Sequence, residues 1–218
     1  MKKIVAVVPI RKGSQRVKNK NFKNFCGKSL LIHKIIALKK IKNLDDIIIN
    51  TDSDKAISIA KKFNVSYYKR KKYFASSKCT NSEFWSNIAS KTDSKYILFT
   101  HCTSPIISSK TYSKTIKAFF SNKKRFDSLN TVSDVKEFLF LKNKPINFQL
   151  NKAPNSQNLP NIVKLNFAIS ILSTDFMKKK KTLIGSKPFF YKLDQVEGHD
   201  INTEYEFEFA KYLFKRSK

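Results

Sequence analysis

Apolar positions along the chain alternate between short continuous runs and stretches at helical spacing. Ile4 to Ile10 (IVAVVPI) is a continuous run with five β-branched residues, the pattern of a strand covered on both faces of a parallel sheet. The polar, basic stretch from Arg11 to Asn24, which holds Gly13, interrupts it and predicts a loop. From Ser29 to Lys40, the residues Leu31, Ile35 and Leu38 recur at helical spacing and Ser29 stands ready to cap. Asp46 to Thr51 predicts a second strand, Asp52 to Phe63 a helix with Ile57, Ala60 and Phe63 on one side, and Val65 to Tyr68 a third strand. Asn81 to Ser90 and Ser108 to Phe120 predict helices on either side of a fourth strand at Tyr96 to Thr100. Such alternation predicts a three-layer α/β fold with a parallel sheet.

The pattern loosens after Phe126. Asp127 to Val135 and Phe138 to Leu141 predict strands, Phe167 to Leu172 and Phe189 to Leu193 returning strands, and Thr203 to Phe214 a final helix. Between them, Lys142 to Asn161 is rich in Asn and holds Pro145, Pro154 and Pro160, which marks a long excursion, a lid or a dimer arm. The run Lys178 to Lys181 predicts a solvated helix end. Residues 1–218 are expected to form one domain, with an excursion or small inserted subdomain at about 136–165.

Composition narrows the function classes. Net charge is +28, but only Arg11, Arg16, Arg70, Arg125 and Arg216 are arginine, leaving 39 lysines among 44 basic residues. Gly is rare while Lys, Asn, Ile and Phe are plentiful, a balance that AT-rich codons produce without a partner. Base and phosphate readout favours Arg for its planar fork, which argues against nucleic acid as the main partner. A basic cleft still attracts a triphosphate. No apolar run reaches the roughly 18 residues of a membrane helix. Met1-Lys2-Lys3 and the following run look superficially like a signal peptide, but the run is short and Arg11 and Lys12 follow it, so a cytoplasmic protein is expected. Cys26, Cys79 and Cys102 are scattered, as are the three His, and form no metal-ligand pattern.

The strongest chemical signal is Pro9-Ile10-Arg11-Lys12-Gly13-Ser14-Gln15-Arg16, followed by Lys20-Asn21. It comes directly after the first strand, at the carboxyl edge where open α/β sheets bind ligands. A Gly beside a Ser lets backbone N–H groups close around phosphate oxygens, and Arg11, Arg16 and Lys20 supply charge for a triphosphate. It is not a P-loop, since no G-x-x-x-x-G-K-[ST] is present. Asp52 to Asp54 reads equally as a helix start, Thr103-Ser104-Pro105 as a strand-to-helix turn, and Thr203 with Glu206 as a capping box.

Arg-x-Gly-Ser-x-Arg followed by Lys-Asn, after a strand ending in Pro, resembles the N-terminal signature of the acylneuraminate cytidylyltransferases. These are the CMP-sialic acid synthetases and their relatives for legionaminic and pseudaminic acids. The related Kdo enzymes usually carry Lys-Pro where this chain has Lys20-Asn21. Other segments match in order: Asn50-Thr51-Asp52-Ser53, Arg70, Thr103-Ser104-Pro105, Asn166 to Ile171 (NFAISI) and Asp200-Ile201-Asn202-Thr203. The resemblance implies a Rossmann-like nucleotidyltransferase fold, with a mostly parallel sheet, that joins CMP from CTP to an acidic nine-carbon sugar. It implies a nucleotide site of Arg11, Gly13, Ser14, Arg16, Lys20, Asn21 and Arg70, and a sugar site of His101, Thr103, Ser104 and Asn166. Arg11, Lys20 and Asp200 are the implied catalytic residues. Mg²⁺ on Asp200 and Asn202, and a homodimer, are implied as well.

The chain departs from the family pattern near the sugar and the metal. His101 and Cys102 replace Gln-Pro, Phe167 and Ser170 replace the Gly and Tyr of N-G-A-x-Y-I, and Asn202 replaces the second carboxylate of D-I-D. Three alternatives follow. They are a cytidylyltransferase for another sugar acid such as Kdo, a nucleotide-binding homologue of weak turnover, and a basic nucleic-acid-binding protein.

Overall fold

A computed structural model describes residues 1–14 and 16–217. Its centre is a seven-stranded sheet. In chain order the strands are β1 (Lys2–Ile10), β2 (Asp46–Thr51), β3 (Ser66–Lys69), β4 (Ser94–Phe99), β5 (Ser128–Val135), β6 (Ile162–Ser173) and β7 (Pro188–Lys192). Across the sheet they lie in the order β7-β5-β6-β4-β1-β2-β3. All neighbours pair in parallel except β6, which runs antiparallel to both β4 and β5. The expected mostly parallel sheet is therefore present.

Helices α1 (Leu30–Lys39), α2 (Asp54–Lys62), α3 (Asn81–Ser90), α4 (Ser109–Asn122), α5 (Thr174–Lys180) and α6 (Glu204–Arg216) cover the sheet. Alternate β1 side chains serve the two faces. Ile4, Ala6, Val8 and Ile10 pack with α1, α4 and α6, whereas Val5 and Val7 pack with Ile88 of α3 and Met177 of α5. Local signals set the helix starts. Ser29, Ser53 and Ser108 each accept a bond from the first turn, and Thr203 and Glu206 form a complete capping box. The expected helix end at Lys178 to Lys181 is the last turn of α5. Only Thr174 and Met177 of that helix are buried, too few to show a period.

The excursion is a short ribbon, Phe140–Leu141 against Lys144–Pro145, then two 3₁₀ turns at Leu150–Lys152 and Ser156–Asn158. Lys142 and Asn143 both have positive φ (48° and 62°), as the tight turn of such a ribbon requires. No helix among the described residues is long and apolar enough to cross a membrane.

Candidate active site

Strand register assembles the site. Ile10 lies level with Thr51, and Thr51 with Lys69, so the next residues, Arg11, Asp52 and Arg70, emerge side by side at the carboxyl edge. Asp52 organises them. Its Oδ1 accepts the Lys12 backbone N–H at 2.8 Å and lies 3.6 Å from the Arg70 guanidinium. Arg70 is 5% exposed, donates to the Ile10 carbonyl at 2.7 Å and sits 4.7 Å from the Phe84 ring centroid. Its Nε finds no hydrogen-bond partner among the described residues. Asp52 thus ties the loop after β1 to the strand edge, well beyond starting α2. Gly13, at φ +83°, turns that loop in a conformation that side chains rarely adopt. Gln15 of the motif lies outside the described residues.

A 3₁₀ turn at Lys20–Phe22 brings the second half of the motif back to the edge. Lys20 Nζ donates to the Ile201 carbonyl at 2.5 Å, while the Ile201 N–H donates to the Thr103 carbonyl at 2.9 Å. The strap before α6 is therefore pinned from two sides. The result is a cavity of about 340 Å³ lined by Arg11, Lys20, Asn21, Arg70, His101 and Thr103. Phe74, Asn81 and Phe84 close its other side.

The charges in this cavity repel one another. Burial lowers the Lys20 pKa; Asp200 opposes that shift and Arg16 adds to it. Burial also lowers the Arg70 pKa, with Asp52 opposing and Arg11 adding. Arg11, Lys20 and Arg70 line the cavity and Arg16 stands exposed nearby, against the carboxylates of Asp52, Asp200 and Glu206. Burial pushes the His101 imidazole down to about 4 despite Asp200, so it is neutral at pH 7.

Not every expected residue reaches the cavity. Ser104 is fully buried; its carbonyl accepts from Lys34 Nζ, and its hydroxyl finds no partner among the described residues. Asn166 spends its amide inside the protein. Its oxygen accepts from Thr131 Oγ1 (2.6 Å) and the Ala168 N–H (3.2 Å), and its nitrogen donates to Ser133 Oγ (3.0 Å). Asp200 stands beside the strap, its Oδ2 accepting from Asn202 Nδ2 at 2.8 Å.

Comparison with known proteins fits this geometry. A family model described as "Cytidylyltransferase" matches residues 5–181. The chain belongs to the cytidylyltransferase family. It is 23% identical to the post-translational flagellin modification protein B of Campylobacter coli, over 99% of this chain and 96% of that protein. It is 24% identical to an N-acylneuraminate cytidylyltransferase of Escherichia coli, over 95% of this chain and 51% of that longer protein. In fold it is similar to a CMP:2-keto-3-deoxy-manno-octonic acid synthetase solved with CTP, with a TM-score of 0.72, 12% identity, and coverage of 99% and 100%.

The segment Lys72–Asn81 carries no motif in the sequence, although its 3₁₀ turn places Phe74 on the cavity. The aromatic pair Tyr73-Phe74 directly after Arg70 is the one signal that marks it. No cluster of three or more His, Cys, Asp or Glu side chains forms a metal cage among the described residues. Asp200 and Asn202 offer a carboxylate and an amide oxygen two residues apart, donors of the kind a hard cation takes.

Proposed function

We propose that this cytidylyltransferase moves CMP from CTP to the anomeric hydroxyl of a nine-carbon 2-keto sugar acid of the sialic acid type. The observation that carries this reading is the set of Arg11, Lys20 and Arg70 gathered at one carboxyl-edge cavity, with the exposed Arg16 close enough to add to the lowering of the Lys20 pKa. Similarity to an N-acylneuraminate cytidylyltransferase supports the choice of sugar.

The sugar hydroxyl oxygen attacks the α-phosphorus in line. The bond from that phosphorus to the bridging oxygen breaks, pyrophosphate leaves with the electron pair, and the hydroxyl proton passes to water. Positioning and charge neutralisation supply the catalysis. Arg11 and Arg70 hold one end of the triphosphate and Lys20 and Arg16 the other, while Asn21 lines the ribose side. Neutral His101 offers an imidazole nitrogen that accepts a hydrogen bond from the sugar, with Thr103 beside it. Asp200, with the carbonyl oxygen of Asn202, would hold Mg²⁺, which when bound supplies positive charge to the phosphate oxygens.

The excursion supports a homodimer. Phe140, Leu141, Ile146 and Leu150 are 55–72% exposed along it, and light scattering of the purified chain reads the assembly. A second reading rests on a groove of about 880 Å³ around Lys3, Lys42, Lys110, Lys114 and Lys117, which would suit a polyanion. Pyrophosphate release with four nucleotides against several sugar acids tests the main reading. CTP with a nine-carbon acid is the expected pair. Release with Kdo alone would move the chain to that branch, and RNA binding without any release would favour the second reading.

A further inference from the structure

Lys34 stands on the buried face of α1, among Leu31, Ile35 and Leu38, and is 2% exposed. A lysine is almost never buried this deeply without a carboxylate partner. Among the described residues, no carboxylate lies within ion-pair distance of it. Three neutral oxygens take its three N–H groups instead: the Ser104 carbonyl at 2.9 Å, the Tyr112 hydroxyl at 2.5 Å and Thr100 Oγ1 at 3.4 Å.

These bonds form one directed chain. Tyr112 accepts from the ammonium and turns its own O–H to Thr100 Oγ1, 2.8 Å away. Thr100 in turn donates to the Ala168 carbonyl at 2.7 Å. Ala168 lies where the register between β6 and β5 shifts, between Leu165 and Ser170, leaving a bulge. Lys34 thus joins α1, α4, β6 and the end of β4.

The junction lies directly behind the cavity. Thr100 and Ser104 flank His101, Cys102 and Thr103, and all three of those residues line it. The Lys34 charge is felt at His101, where it opposes protonation together with Lys20 and against Asp200. A buried cation without a counter-charge costs stability, and an apolar side chain of similar volume often serves a core equally well or better. Packing alone therefore does not account for a lysine here.

We propose that Lys34 is a positioning residue for the acceptor side of the reaction. From behind the cavity its ammonium clamps both flanks of the His101–Thr103 segment, through Thr100 and Ser104, and so fixes the groups that meet the sugar. The inference rests on the sugar-acid reading above, in which His101 and Thr103 face the acceptor.

The test measures KM and kcat with CTP, Mg²⁺ and N-acetylneuraminic acid for wild type, Lys34→Met and Tyr112→Phe. Lys34→Met fills similar space but releases the Ser104 carbonyl. KM for the sugar acid should rise about three- to tenfold, the scale of one weakened hydrogen bond, while KM for CTP should not change. Its Tm should hold or rise, because the buried charge is removed. Tyr112→Phe disturbs the same chain but leaves Lys34 on Ser104, so it should lower Tm and change neither KM. Lys34→Gln keeps an N–H for Ser104 without the charge. It should recover part of the lost sugar affinity, and it carries the comparison if Lys34→Met does not fold. An unchanged sugar KM in the Lys34 variants, or equal rises for sugar and CTP, would overturn the proposal. So would a sugar KM raised as much by Tyr112→Phe, which would make the chain a packing element. Wild type that does not turn over the sugar acid overturns the sugar-acid reading and this inference together. Active wild type, with Lys34 variants that do not separate the two substrates, overturns the inference alone.

Discussion

Arg11 and Lys12 are adjacent cations, and the structure gives them different work. Arg11 lines the cavity and its charge adds to the lowering of the Arg70 pKa. Lys12 is exposed and anchors the loop through its backbone N–H to Asp52, a bond that Lys12→Ala retains. A charge-assisted hydrogen bond contributes about 1.5–3 kcal/mol, so Arg11→Ala should weaken CTP binding roughly tenfold to a hundredfold. An exposed charge contributes about 1 kcal/mol at most, roughly a fivefold change that salt screens further. Isothermal titration with CTP and Mg²⁺ at two salt concentrations measures both. A second readout has the opposite sign. Removing Arg11 relieves its repulsion of buried Arg70, so the Tm of the free protein should hold or rise. The shift induced by CTP should nevertheless shrink, from about 2.7 kcal/mol at a hundredfold excess over Kd to roughly 1 kcal/mol after a thirtyfold loss. Matched losses for the two variants would refute a specific role for Arg11 and leave only bulk charge.

Asn202→Asp replaces the amide that donates to Asp200 with a second carboxylate, so it should lower the Mg²⁺ concentration needed for half-maximal turnover while lowering Tm without metal. Asp200→Ala should nearly abolish turnover yet keep its helix, because Thr203 and Glu206 still cap α6. The His101 imidazole is held at about 4 in the folded protein against an ordinary 6.5, so the unfolded chain binds the extra proton between those values. The sign follows: this contribution is complete above about pH 6.5 and lost as pH falls toward 4, by at most ~1.4 kcal/mol per unit. Comparing Tm of wild type and His101→Gln between pH 6.5 and 5 isolates it, and the variant should show the shallower slope.

Local signals made much of the fold legible. The caps at Ser29 and Thr203, the continuous apolar run of β1 and the 46–51 strand each depend on neighbours in sequence, and each stands where the pattern puts it. The reading of β6 began at Phe167, five residues late, because the bulge breaks the alternation and exposes Phe167 between two buried residues. The site is legible in part for the same reason. Arg11 and Arg70 directly follow strands, and parallel register makes them neighbours, whereas Lys20 returns to the edge on its 3₁₀ turn. Asp52 reads as a helix start because its bond to the Lys12 backbone spans 40 residues. Asn166, expected at the sugar, is occupied by Thr131 and Ser133, partners on another strand that no local pattern reveals.

The most direct test of the proposed transfer follows one oxygen atom. A nine-carbon 2-keto sugar acid labelled with ¹⁸O at its anomeric hydroxyl is incubated with the protein, CTP and Mg²⁺, and the products are weighed by mass spectrometry. Attack of that hydroxyl on the α-phosphorus predicts a CMP-sugar that keeps the label in the bridge between sugar and phosphorus, with unlabelled pyrophosphate in equal amount. Absence of any CMP-sugar, or a CMP-sugar whose bridging oxygen is unlabelled, would contradict it.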